Sequence, residues 1–173
     1  MAQKGNNFKD RLPEKALLVV YSYHHRNTEK VANVIAKVLD AQIKTPQQVC
    51  PEELRDYDLV GFGSGIYDEK HDISLLDLAD RLPPAAGGKS FLFSTNGAPA
   101  SLFDERMSRD QLAKNHRLLK EKLQAKGYVI VGEFSCPGLN TNRFLKHIGG
   151  LNKGRPNGED LKRAEEFARG LKA

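Results

Sequence analysis

Cysteine is nearly absent: Cys50 and Cys136 are the only two in 173 residues. They lie far apart and outside any Cys-x-x-Cys spacing, so they read as buried or idle thiols, and neither a disulfide framework nor a metal site is expected. No apolar run approaches the roughly 18 residues that a membrane-spanning helix needs. The polar stretch 1–14 lacks the apolar core of a secretory signal, so it reads as a lead-in and the protein as cytoplasmic. There is no internal repeat and no low-complexity tract, and at this length a single domain over 15–173 with a substantial core is expected. Acidic residues are the minority charge, 22 against 27 Lys and Arg, for a formal charge of +5. Most of the basic residues are interleaved with acidic ones, as in Asp104-Glu105-Arg106, the pattern of solvated helix faces. Only residues 143–155, with Arg143, Lys146, His147, Lys153 and Arg155, are basic without acidic relief. Such a balance suits an acidic partner, and only weakly nucleic acid.

Strand and helix patterns alternate along the rest of the chain. The apolar run 16–21, Ala-Leu-Leu-Val-Val-Tyr, reads as a strand buried on both faces. After a short polar turn, Val31, Val34, Ile35, Val38 and Leu39 form one stripe of an amphipathic helix. Further strands are expected at 41–44, 59–63, 91–93 and 128–134, with helices at 74–82, 111–125 and from Asn157 onward, where Asn157 is a good N-cap. Five strands alternating with helices predict an α/β fold, a parallel sheet with helices on both faces, since right-handed crossovers are nearly obligatory. Ligands of such sheets sit outside the carboxyl ends of the strands. The loops to inspect are therefore 22–28, 64–72 and 94–101.

The first of these loops precedes a helix start, where unpaired backbone N–H groups and a partial positive charge favour an anion, and a phosphate is the obvious guest. Asn27 and Thr28 would alternatively only cap the helix. His24 and His25 are poor metal ligands, because neighbours on a turn seldom converge on one ion and no carboxylate or thiol flanks them. In the second loop, glycines ending a strand let backbone approach a flat ligand and Tyr67 can stack on it, or merely cover the sheet edge. The third, Ser94-Thr95-Asn96-Gly97-Ala98-Pro99, supplies turn chemistry and N–H donors. Two other signals fail. Gly87-Gly88-Lys89-Ser90 lacks the first glycine of a Walker loop and precedes a strand instead of following one. A phosphoacceptor receiver needs acidic residues after the first strand, where this chain has Ser22-Tyr23-His24.

The stretch Val19-Val20-Tyr21-Ser22-Tyr23-His24-His25-Arg26-Asn27-Thr28-Glu29 resembles the phosphate loop of the flavodoxin-like FMN-binding flavoproteins. Asn27, Thr28 and Glu29 match residue for residue, while His24, His25 and Arg26 stand where the family usually has Ser, Thr or Gly, and Ser22 is displaced by about one position. The segment Gly63-Ser64-Gly65-Ile66-Tyr67-Asp68-Glu69-Lys70-His71 is similar to the second flavin loop of the quinone-linked and protoporphyrinogen-oxidising members. The resemblance implies a three-layer fold with a five-stranded parallel sheet in the order 2-1-3-4-5. It implies FMN as cofactor, with Ser22, His24, His25, Arg26, Asn27 and Thr28 at the phosphate, Gly65, Ile66 and Tyr67 at one side of the ring, and Thr95, Asn96 and Gly97 at its far edge. Residues 136–156, rich in Gly and Asn, become a candidate lid or docking surface.

The expected function is that of a redox flavoprotein, in which the cofactor carries the chemistry. A one-electron shuttle and an NAD(P)H- or quinone-type reductase, with Tyr67 or His71 lining the approach, both stay open. Its partner would be a redox protein or a small-molecule electron acceptor. The alternative is a flavin-free module on the same fold that docks an acidic partner or nucleic acid through 143–155. Acidic flavodoxin shuttles disfavour the reduced, anionic flavin by repulsion. A net basic chain with Arg26 and the two histidines near the phosphate is expected to be less strongly reducing.

Overall fold

The computed structural model describes residues 15–172 apart from 24 and 100–104, so the lead-in expected over 1–14 lies outside the described residues. Among the described residues there are six strands, β1 (Ala16–Tyr21), β2 (Gln42–Lys44), β3 (Leu59–Tyr67), β4 (Lys70–His71), β5 (Lys89–Asn96) and β6 (Val129–Pro137), and four α-helices. These are α1 (Asn27–Leu39), α2 (Ile73–Arg81), α3 (Glu105–Ala125) and α4 (Gly158–Gly170). The main path is β2-β1-β3-β5-β6, all neighbours parallel, and β4 pairs antiparallel with the end of β3. The expected order of five parallel strands is present, with the two-residue β4 as an addition.

The sheet has a core on each face. On one, Leu18 and Val20 of β1 meet Val31, Ile35 and Leu39 of α1 and Ala164 and Ala168 of α4. On the other, Leu17 and Val19 meet Leu75 and Leu78 of α2 and Leu119 and Leu123 of α3. Alternate residues of β1 therefore serve opposite cores, which is why its sequence is apolar without a break.

Three elements extend beyond their sequence signals. β3 continues to Tyr67 and turns back into β4, so half of the loop expected over 64–72 is a hairpin. Its two turn residues, Asp68 and Glu69, have φ of 47° and 60°, the left-handed pair of a two-residue hairpin turn. α3 begins at Glu105 rather than 111. Residues 136–156 are also more ordered than a long loop. β6 runs to Pro137, Asn140 bridges Leu151, and Arg143–Ile148 forms a 3-10 turn closed by Gly149 at φ 82°. Cys136 is buried, whereas Cys50 is exposed.

The glycines of β3 have an unexpected use. Gly61 and Phe91 are register partners, as are Gly63 and Phe93. A Cβ on Gly61 would lie 2.3 Å from Phe91 Cζ, and one on Gly63 2.1 Å from Phe93 Cζ. These two glycines seat core rings rather than a ligand.

Candidate functional site

A cavity of about 430 Å³ opens at the carboxyl edge of the sheet. It lies where β1 and β3 are neighbours while α1 and α2 leave to opposite faces, the point at which strand order reverses. Its size falls in the range of small-molecule sites, about 300 to 1,000 Å³.

One end of the cavity is the start of α1. The chain enters the helix through His25 and Arg26, with φ of 54° and 53°, a left-handed pair that glycine would adopt at lower cost. Arg26, at the N-cap position, makes no side-chain capping bond. Ser22 Oγ accepts the Glu29 N–H at 3.3 Å. Asn27 and Thr28 are buried and line the cavity. Thr28 Oγ1 is 2.8 Å from Thr95 Oγ1, tying α1 to β5. The Asn27 amide donates to the Leu139 carbonyl at 3.0 Å, while its buried Oδ1 has no partner among the described residues. A ligand hydroxyl would satisfy that acceptor.

The other end is the β3–β4 hairpin with the end of β5. Gly65, Ile66, Tyr67 and Glu69 line it, and Glu69 is held by Lys114 of α3 at 2.6 Å. The half-buried Tyr67 ring lies over Gly65, where a Cβ would stand 2.9 Å from the Tyr67 hydroxyl. Thr95, Asn96 and Gly97 face it from β5.

Residues 138–142 close the third side. Gly138 N–H donates to the Asn96 carbonyl at 2.8 Å, Asn140 Nδ2 to the Gly97 carbonyl at 3.1 Å, and His25 Nε2 is 2.7 Å from Thr141 Oγ1. Neither Gly97 nor Gly138 has room for a side chain, since a Cβ would meet the Asn140 amide at 2.6 Å or the Asn27 amide at 2.8 Å.

Ser22, His25, Asn27, Thr28, Gly65, Ile66, Tyr67, Thr95, Asn96 and Gly97 are thus brought together around one cavity. His24 lies outside the described residues. Arg26 is not in the lining: its guanidinium is largely exposed and forks onto Glu29 at 2.5 and 2.6 Å, which raises its pKa further. His71 does not line the approach. It is fully buried beneath α3, and desolvation, with His116 beside it, pushes its pKa well below the ordinary histidine value, so it is neutral. Cys136 carries no reactivity, because burial pushes its thiol up to about 12.

No family model matches the chain. An uncharacterised protein of Methanocaldococcus jannaschii is 43% identical over 159 residues, spanning 91% of this chain and 97% of that protein. The chain belongs to the family of that archaeal protein and has a flavodoxin-like fold. Flavodoxin 2 from Bacillus cereus, solved in its oxidised form, superposes with a TM-score of 0.64 at 18% identity, over 91% of this chain and 97% of that one. A Fusobacterium nucleatum flavodoxin, solved with flavin mononucleotide bound, gives 0.61 at 14% identity over 91% and 97%.

For this flavodoxin-like chain, sequence reasoning missed Gln111 and Asn115 of α3, and named 138–142 only within the candidate lid or docking surface 136–156. The Gly- and Asn-rich composition of 136–156 was the available signal for the second. Nothing in α3 marked the first, since Gln and Asn on an amphipathic helix look like its solvent face.

Proposed function

We propose that this protein binds FMN in the cavity and acts in electron transfer. The observation that carries the reading is the start of α1. A helix N-terminus whose N-cap residue, Arg26, makes no capping bond, and where Ser22 takes only the Glu29 N–H, opens into a cavity at the strand-order reversal, beside the hydroxyls of Ser22 and Thr28 and an Asn27 Oδ1 that has no partner among the described residues. Likeness in fold to flavodoxins, one of them solved with flavin mononucleotide, supports it. In this reading the helix start and the hydroxyls hold the phosphate, and Asn27 Oδ1 accepts a ribityl hydroxyl. Tyr67 faces the ring on one side, with Thr95, Asn96 and Gly97 at its edge, and the exposed contact of His25 with Thr141 borders the phosphate end. When bound, the flavin supplies one- or two-electron chemistry, and the protein holds and shields it. The partner is a redox protein or a small-molecule acceptor.

The test is titration of the purified protein with FMN and riboflavin, followed by flavin fluorescence. FMN is expected to bind at least tenfold tighter, about 1.4 kcal/mol, because only FMN offers the phosphate. Equal affinities would remove the phosphate site. Binding of neither flavin would favour the flavin-free module, with the exposed Phe144 and Ile148 of the basic 3-10 turn as its docking face.

A further inference from the structure

Asn27, Asn96, Asn115 and Asn140 all line the cavity, but their amides are spent differently. Asn96 is engaged at both atoms, its Oδ1 accepting the Ala98 N–H at 3.2 Å and its Nδ2 donating to Ser135 Oγ at 3.2 Å. Asn140 is too, with the Asn142 N–H on its Oδ1 at 2.9 Å and the Gly97 carbonyl on its Nδ2. These two hold the wall together. Asn27 keeps an open acceptor at the α1 end, and Asn115 of α3 is its converse. Asn115 Oδ1 accepts from Gln111 Nε2, one turn earlier, at 2.8 Å, while its NH2 has no partner among the described residues. Asn115 is only 2% exposed, and a buried amide left without partners forfeits the hydrogen bonds it had in water. Its nitrogen is not enclosed by protein and so opens into the cavity that the residue lines. Gln111, also in the lining, spends one N–H on Asn115, and its oxygen has no partner among the described residues.

The pair is held where it stands. His116, next along α3, is fully buried, with Nε2 2.8 Å from Ser94 Oγ and Nδ1 3.2 Å from a Glu133 carboxylate oxygen. Ser94 is the middle of a row of three serines, Ser64, Ser94 and Ser135, which are register partners on β3, β5 and β6. On the other side of Asn115, Lys114 reaches Glu69 of the β3–β4 hairpin. This turn of α3 is therefore pinned to the sheet and to the hairpin, so its amides have little freedom left to lose when a ligand arrives. It borders the hairpin end of the cavity, away from the α1 start.

We propose that Asn115 and Gln111 form a specificity pair for the ring of the ligand: Asn115 donates to a ring carbonyl and Gln111 accepts from the neighbouring ring N–H. The inference rests on the FMN reading, which puts the phosphate at α1 and the ring at the hairpin. The pyrimidine half of the flavin ring carries carbonyls on either side of an N–H, and an open NH2 beside an open amide oxygen matches that edge. The benzenoid half carries neither group. Neither residue belongs to the three loops that follow the strands, so the pair adds a side-chain reader to them.

The test is titration of the full-length wild type, Asn115→Leu and Gln111→Ala with FMN, riboflavin and N3-methylriboflavin, followed by flavin fluorescence. Leu is close to Asn in size and lacks the donor, so Asn115→Leu should weaken FMN and riboflavin by the same factor, about tenfold, because the ring is common to both. The wild type should bind N3-methylriboflavin at least about tenfold more weakly than riboflavin, since a site built to pair with a group rejects an analogue that cannot. Gln111→Ala removes the acceptor and makes room for the methyl, and there the difference should shrink to about twofold or less. A merely structural role would lower affinity for all three flavins alike and leave that ratio unmoved. In the ¹⁵N-labelled wild type, the Asn115 side-chain NH2 signals should shift on adding FMN or riboflavin. Should Asn115→Leu fail to fold, the Gln111→Ala ratio and the NH2 shift decide. An Asn115→Leu loss that is absent or confined to FMN, an unchanged ratio in Gln111→Ala, or NH2 signals that stay in place would each overturn the pair and leave the flavin reading intact. Failure of the wild type to bind any of the three would overturn the flavin reading and the pair with it.

Discussion

Strand β3 places three glycines on one face, and the three do different work. At Gly61 and Gly63 the missing Cβ is replaced by the Phe91 and Phe93 rings of the neighbouring strand, both fully buried. At Gly65 the register partner is Thr95, and the ring over the glycine is Tyr67, from two residues further along the same strand. Where the partner is Phe, the gap is closed core; where it becomes Thr, the gap opens into the cavity. A single change of residue type on β5 thus marks the boundary between packing and binding, and the Thr95 hydroxyl that replaces a ring is the one that anchors Thr28 of α1.

The largest expected effect breaks this comparison at its buried rungs. Gly63→Ala puts a Cβ against a ring enclosed on all sides, and overpacking of that kind costs about 1 to 3 kcal/mol. With the contact at 2.1 Å, the loss should fall near the top of that range in urea unfolding. Gly65→Ala meets only the end of the Tyr67 side chain and should leave the unfolding midpoint nearly unchanged while altering FMN fluorescence on binding. Equal destabilisation by both would mean that the third rung is core like the others.

Thr28→Ala tests the anchor. It removes one hydroxyl of a buried pair and leaves Thr95 Oγ1 without its partner, which should cost about 1 to 2 kcal/mol of stability. If unfolding is unaffected, the two hydroxyls are not paired in solution and the opening of the cavity is not tied to α1.

How much of this was legible in the sequence follows from the range of each signal. The β1 run, the α1 stripe and the Asn157 cap are local patterns, and each marks its element within a few residues. The hairpin at Asp68 and Glu69 was hidden because Asp68, an ordinary residue for such a turn, is followed by Glu69 instead of the Gly that usually takes the second position. Most of the cavity lining was legible because it comes from three strand ends. The Gly–Phe rungs and the serine row were not, since each residue is ordinary alone and acquires its meaning only from strand register. Arg26 misled for a related reason. Proximity in sequence to the α1 start does not determine where a long side chain points, and here a carboxylate three residues on takes it.

The α3 side of the sheet allows a pH test. His71 is neutral when folded, with its pKa depressed by burial, and regains an ordinary value near 6.5 when unfolded. Below that value the unfolded chain therefore binds the extra proton. The stabilisation is complete above about pH 6.5 and declines as pH falls toward the folded pKa, by about 1.4 kcal/mol per pH unit from this group. Chemical unfolding at a series of pH values should show a shallower acid slope in His71→Gln than in the wild type. Parallel slopes would show that the ring is hydrated and titrates normally.

The smallest effect is expected at Arg26, the residue whose charge the sequence alone places beside the phosphate. Its guanidinium is spent on Glu29 in a solvent-exposed pair, and the charged side chain that does line the cavity, Glu69, is acidic and paired with Lys114. An exposed pair of opposite charges presents almost no net field to a site beyond it, and salt screens what remains. Arg26→Gln should therefore leave both FMN affinity and the midpoint potential of the FMN-loaded protein unchanged within error at 0.15 M salt, despite the chain's net charge of +5. A clear fall in potential in that variant would mean that Arg26 leaves Glu29 when the ligand binds. The α1 end of the cavity would then have to be counted as adjustable, like the hairpin end, and not as a prebuilt cradle.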